Sequence, residues 1–166
     1  MTVTDKQVVE LVAQLGALLA ERGARLTTAE SCTGGWIAKC LTDLPGSSAW
    51  FEYGFVSYGN NAKTDMLGVE PEMIRRCGAV SREVAEAMAA GARQAAGADI
   101  AVAVTGIAGP DGGTPDKPVG TVWFGWAVSG TRPESQCERF SGTREEIRLQ
   151  TVARALAGVL ERLENE

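Results

Sequence analysis

"RLTTAESCTGGWIAKCLTDL", residues 25–44, changes character in its middle. Its first six residues read as a short strand, and "GGWIAKCLTDL" reads as a helix halted by the turn "PGSS". A strand that passes directly into a helix is the unit from which α/β layers are built. The same stretch sets Ser31 and Cys32 side by side at the junction, just ahead of Gly34 and Gly35.

The rest of the chain continues the alternation. Upstream, "DKQVVELVAQLGALLAERG" carries Val8, Val9, Leu11, Val12, Leu15, Leu18 and Leu19 at helical spacing and ends at Gly23, a suitable helix terminator. Downstream, "AWFEYGFVSYG" is aromatic and β-branched enough for a strand, its glycines implying a bend or a close backbone approach. Short helical pieces are expected around Asn61 to Leu67 and Pro71 to Cys77. Ser81 can cap the Ala-rich helix "REVAEAMAAGARQAAG", after which "DIAVAVTG" reads as a buried strand running into the loop "GIAGPDGGTPDKPVG". The runs "TVWFGWAV" and "SQCERF" form a hairpin pattern, and a closing helix follows with Thr143 and Glu146 spaced as a capping box. No repeat or low-complexity linker interrupts the pattern, so residues 1–166 are expected to form one domain: a three-layer α/β/α sandwich with a mixed β-sheet.

Composition narrows the function. With 166 residues, 45% of them apolar, a real core is within reach. The net charge of −5 and the lack of a basic stripe argue against nucleic acid or an anionic membrane surface as partner. No apolar run spans a bilayer and Met1 opens on a polar segment, so a cytoplasmic protein is expected. Cys32, Cys40, Cys77 and Cys137 are unevenly spaced and there is no histidine, a pattern that suits neither structural zinc nor disulfides.

The absence of histidine also governs the reading of Ser31 and Cys32. Either could be a nucleophile beside the N–H groups of the following turn, and either could be a plain helix cap or packing residue. A base would have to be lysine, a carboxylate or tyrosine. Lys39 lies eight residues past Ser31 on the same expected helix, about 12 Å along its axis at about 1.5 Å per residue, which is too far. Lys63, in "SYGNNAKTDML", follows a strand end that could return to the same sheet edge, with Tyr58 five positions earlier. A lysine base near neutral pH requires burial or a nearby cation to lower its pKa. Otherwise Lys63 is a solvated lysine at a helix start, and Tyr58 an aromatic at a strand end.

Two further elements could bind a ligand. The glycine-rich loop after "DIAVAVTG" can expose N–H groups, although it matches no established phosphate-loop pattern, and Thr105 at the strand end could point its hydroxyl into a cleft. Arg144 and Arg148 open the last helix one turn apart, so they could share a phosphate or simply pair with surface acids.

Taken together, "AESCTGG", "VSYGNNAKTDMLGV", "GAVS", "VTGIAGPDGGTPDKPVGTVWFGWA" and the closing "SGTREEIR" resemble the C-terminal domain family of CinA, the competence/damage-inducible protein, from about Val8 to Leu160. The length suggests the form of this domain that stands alone, without the N-terminal CinA domain. The resemblance implies hydrolysis of the carboxamide of nicotinamide mononucleotide to nicotinic acid mononucleotide and ammonia, in pyridine nucleotide recycling, with no metal and no cofactor. It implies Ser31 as nucleophile, assisted by Lys63 and Tyr58, with N–H groups around Thr33, Gly34 and Gly35 stabilising the oxyanion. Thr105 and Gly106 would line the nucleotide site, Arg144 would hold phosphate with Arg148 as helper, and the family suggests a homodimer. This chain has Thr143 where the family often has Asp ahead of the arginine.

Two rival classes remain at this level. A Ser/Tyr/Lys oxidoreductase would need Tyr-x-x-x-Lys and an early glycine-rich cofactor loop, whereas Tyr58 and Lys63 are one position further apart and no such loop is present. A non-catalytic nucleotide-binding or adaptor domain could use the same loop and arginines, but would leave Ser31, Tyr58 and Lys63 without a purpose.

Overall fold

A computed structural model describes residues 2–166. Strands β1 (Leu26–Glu30), β2 (Phe51–Val56), β3 (Ile100–Gly106), β4 (Thr121–Val128) and β5 (Glu134–Arg139) form one sheet in the order β2-β1-β3-β4-β5. β2, β1 and β3 run parallel, while β4 and β5 are antiparallel, so the sheet is mixed. Helices α1 (Asp5–Arg22), α2 (Trp36–Thr42) and α6 (Arg144–Glu164) cover one face. Helices α3 (Asn60–Leu67), α4 (Pro71–Cys77) and α5 (Arg82–Ala96) lie on the other, giving the expected three layers.

β3 shows why the layers form. Val102 and Val104 join Leu15, Leu19 and Leu156 in one core, and the alternating Ala101 and Ala103 join Val84, Met88 and Ala92 in the other. Burial on both faces explains its unbroken apolar run. β1 occupies the neighbouring central position and is also fully buried, despite the polar reading of "LTTAE". Its threonines are small and β-branched, and the Thr27 hydroxyl donates to the Tyr53 carbonyl at 2.6 Å.

Helix ends follow their chemistry. α1 has a reciprocal cap between Thr4 and Gln7 and stops at Gly23 in the left-handed region. Ser81 caps α5 as expected. Thr143 caps α6 by accepting the Glu146 N–H, which is the forward half of the expected box. α2 is shorter than its sequence suggested: it begins at Trp36, because Gly34 and Gly35 take φ of 59° and 105°, values that favour glycine and end any helix N-terminal extension. The glycine of β2 marks a close approach, since a Cβ at Gly54 would sit 2.9 Å from the Phe51 ring and 3.2 Å from the Thr28 hydroxyl.

The aromatic run of β4 belongs to the core. Phe124 and Trp126 are buried, and the Trp126 indole N–H donates to the Ala155 carbonyl of α6 at 3.2 Å. Arg162 stacks over the same ring at 4.1 Å. None of the described helices is long and apolar enough to cross a membrane.

Candidate active site

From β1 the chain crosses to β2 on one side and later to β3 on the other, so the direction of sheet growth reverses at β1/β3. In open α/β sheets the crevice beyond the carboxyl ends of strands at such a point is the natural ligand site. Ser31 follows β1, Ser57 and Tyr58 follow β2, and Gly106 ends β3. A cleft of about 240 Å³ lies here, lined by Cys32, Tyr58, Gly106 to Gly109, Asp111, Gly112 and Arg144.

Pairing between β1 and β2 brings the first parts together. The Ser57 N–H donates to the Glu30 carbonyl at 2.9 Å, which holds the segment after β2 beside Ser31. α3 then returns the chain so that Lys63 and Leu67, one turn apart, both face inward. Lys63 is 1% exposed. Its Nζ donates to Ser31 Oγ at 3.0 Å and to the carbonyls of Ser57 and Tyr58, each at 2.9 Å. Three acceptors match the three protons of an ammonium, which fixes the head of the side chain against Ser31. The Ser31 hydroxyl in turn donates to the Tyr58 carbonyl at 3.3 Å.

Burial holds the Lys63 pKa below the ordinary lysine range, because the charged form loses its hydration. Cys32 is the neighbouring titratable group. Burial pushes that thiol up to about 12, so it stays protonated and uncharged at neutral pH. Cys32 is therefore a poor nucleophile in its own right, whereas Ser31 faces a lysine that gives up its proton more readily than a free one.

Tyr58, expected to assist Ser31 and Lys63, meets them through its main chain. Its main-chain carbonyl serves the Ser31–Lys63 pair, while its exposed ring points outward and its hydroxyl accepts from Arg144 at 3.4 Å. The other Arg144 contact is to the Gly109 carbonyl at 2.6 Å, which ties the start of α6 to the glycine-rich loop. Arg148 faces elsewhere. Its Nε and Nη2 donate to the carbonyls of Cys32 and Thr33 at 3.0 and 2.9 Å, and the guanidinium stacks on Trp36 at 5.2 Å. The Thr105 hydroxyl donates to the Ala79 carbonyl at 2.9 Å and braces the loop ahead of α5, whereas Gly106 does line the cleft.

Glu30 escaped sequence reasoning. This residue ends β1, is 1% exposed, and accepts from the Thr33 hydroxyl at 2.6 Å and from the Ile37 and Ala38 N–H groups at 2.8 and 3.0 Å. A carboxylate placed at the end of a buried strand, ahead of a helix whose start has no Ser, Thr or Asp cap, was the signal available. Because Glu30 takes the Ile37 and Ala38 N–H groups and the Thr33 carbonyl takes that of Trp36, the loop itself must supply any donors for a ligand. Among the described residues, the N–H groups of Cys32, Thr33 and Gly35 have no hydrogen-bond acceptor. The arrangement thus sets a serine hydroxyl, a buried amine and free backbone donors beside Cys32 and Tyr58, which line the cleft together with Arg144.

Known proteins resemble this chain along most of its length. The family described as CinA C-terminal domain matches residues 8–163. The chain is 54% identical over 153 residues to nicotinamide-nucleotide amidohydrolase PncC of Escherichia coli strain K12, covering 92% of this chain and 93% of that protein. It is 55% identical over 151 residues to the Pseudomonas putida protein of the same name, covering 91% and 94%. The crystal structure of competence/damage inducible protein CihA from Agrobacterium tumefaciens superposes with a TM-score of 0.93 at 44% identity over 99% of each chain. The chain belongs to the CinA C-terminal domain family.

Proposed function

We propose that this chain, acting as a single domain in the cytoplasm, hydrolyses the carboxamide of nicotinamide mononucleotide to nicotinic acid mononucleotide and ammonia, returning pyridine nucleotide to use. The observation that carries this reading is the buried 3.0 Å contact between Lys63 Nζ and Ser31 Oγ, in a chain whose relatives are named for that reaction. A serine assisted by lysine is suited to acyl transfer without histidine.

With Lys63 neutral, its lone pair faces the Ser31 hydroxyl, whose proton turns from the Tyr58 carbonyl to Nζ. Oγ bonds to the amide carbon as that proton moves, and the carbonyl electron pair shifts onto oxygen, where the N–H groups of Cys32, Thr33 and Gly35 can receive it. Collapse breaks the C–N bond, and the Lys63 ammonium returns its proton to the departing nitrogen, which leaves as ammonia. Water then attacks the ester at the same carbon and gives its proton to Lys63, and Ser31 leaves to regain it. Lys63 thus alternates as base and acid without leaving its place. At the outer end, Arg144 receives the phosphate, with the Tyr58 ring beside it. Arg148, expected to help with phosphate, has two of its donor groups committed to the loop carbonyls.

The family's suggestion of a homodimer fits the exposed edge strand β2, which presents Tyr53 and Val56 to solvent, 48% and 49% exposed. Light scattering of the purified protein should give twice the chain mass, and a monomer would remove that part of the proposal. The function itself is tested by incubating the protein with nicotinamide mononucleotide and measuring ammonia and nicotinic acid mononucleotide together. Equal amounts of both are expected. Nucleotide binding without product would favour the adaptor reading.

A further inference from the structure

We propose that Glu30 and Arg148 are positioning residues that clamp the nucleophile loop, Ser31 to Gly35, from opposite ends. The inference rests on Ser31 being the nucleophile and concerns how its loop is held in the reactive shape.

Glu30 is placed in a costly way for a helix cap. A serine at the cap would satisfy one N–H of α2 with little desolvation, whereas a buried carboxylate loses most of its hydration and must recover it from well-made hydrogen bonds. The three partners of Glu30 are the Thr33 hydroxyl and two backbone N–H groups, at 2.6 to 3.0 Å, and none is a cation. The bonds span both sides of the glycine pair, from Thr33 to Ala38. Two left-handed glycines in series would otherwise be the loosest part of the chain, and a single carboxylate ties together what they separate.

Arg148 acts on the same loop from α6. Its two bonds fix the carbonyl directions of Cys32 and Thr33, and its stacking on Trp36 fixes the guanidinium plane. In a planar trans peptide the N–H points opposite to the C=O. Holding the Cys32 carbonyl therefore sets the direction of the Thr33 N–H, one of the free donors beside Ser31. The Thr33 carbonyl also accepts the Trp36 N–H at 3.1 Å, so the loop and the first residue of α2 are set together. A lysine at 148 would lose the planar fork that reaches both carbonyls and the stacking on Trp36 that fixes its plane. The clamp is distinct from the proton-transfer pair, because neither residue bonds to Lys63 or to Ser31 Oγ.

The experiment uses two readouts on folded Glu30→Gln and Arg148→Lys proteins, with folding confirmed by circular dichroism and thermal melting. One is steady-state hydrolysis of nicotinamide mononucleotide. The other is the rate at which a small fluorophosphonate phosphonylates Ser31, where Oγ bonds to phosphorus, fluoride leaves and the serine proton passes to Lys63. Misplacing a reactive group by about 1 Å can cost about a hundredfold, so kcat and the phosphonylation rate are each expected to fall about tenfold to a hundredfold, with KM within about threefold of wild type. Unchanged rates in folded variants, or a loss matched by the fraction unfolded, would overturn the clamp. A raised KM for the nucleotide with kcat intact in Arg148→Lys would overturn it too and return Arg148 to substrate binding. A wild-type protein that is phosphonylated at Ser31 but hydrolyses no nicotinamide mononucleotide would sink the substrate reading alone, and the clamp would then be decided by the phosphonylation rates. Failure of the wild type in both assays would sink both.

Discussion

At the inner end of the cleft, Ser31 and Lys63 are buried and their polar atoms are engaged by neighbouring groups, whereas at the outer end Tyr58 and Arg144 face solvent and meet at 3.4 Å. Under the proposed function the difference separates two tasks. Proton transfer needs a fixed distance and a lysine stripped of water, so it sits where α3 and two strand ends close around it. Holding a phosphate needs charge and room to adapt, which an exposed arginine on the first turn of a helix provides. Substitutions inside should therefore reduce rate, and substitutions outside should weaken binding.

The largest expected effect is on Ser31. Ser31→Ala should lose turnover by about a thousandfold or more, as expected when a covalent nucleophile is removed, while Cys32→Ala keeps most of it. The reverse pattern in an ammonia-release assay would move the chemistry to the thiol. Lys63→Met should come next, with a loss of about a hundredfold to ten-thousandfold that no choice of pH restores. In the intact protein the neutral amine is the active form, so kcat/KM should rise with pH through the Lys63 pKa, with a midpoint below the ordinary lysine value of about 10.4. A profile that falls with pH over that range would reverse the assigned direction of proton transfer.

At the outer end, Arg144→Ala should raise KM for the nucleotide about tenfold and alter that for the phosphate-free riboside much less, as measured by steady-state kinetics with both. Equal losses for the two substrates would make Arg144 a tie to the Gly109 carbonyl and nothing more. The smallest effect lies within the sheet that carries the inner end. The Thr28 hydroxyl is buried with no hydrogen-bond partner, so Thr28→Val should raise stability by about 1 kcal/mol in thermal denaturation without changing kcat. A clear loss of stability there would show that the hydroxyl has a partner after all.

The sequence revealed the inner pair better than its supports. With no histidine in the chain, elimination and the expected return of the chain to one sheet edge made Lys63 a candidate base, and the resemblance to the CinA family singled it out as the partner of Ser31. It could not say whether Tyr58 would contribute its ring or its carbonyl, because residue type carries no information about main-chain use. Glu30 and the loop contacts of Arg148 stayed hidden for a related reason: their partners are mostly backbone N–H and C=O groups, which leave no periodicity or spacing to read. The layers were legible because β3 and the two long terminal helices announce themselves by apolar pattern. The boundary of α2 was not, since its start depends on the left-handed backbone of Gly34 and Gly35 and not on a capping side chain.

The account stands or falls on an acyl-enzyme at Ser31, and hydroxylamine tests this directly. Added during turnover of nicotinamide mononucleotide, it should divert the ester to the hydroxamate of the nucleotide, in rising proportion to its concentration, with no hydroxamate formed by Ser31→Ala. Continued ammonia release with nicotinic acid mononucleotide as the sole product at every hydroxylamine concentration would contradict the serine ester and point to direct attack by water.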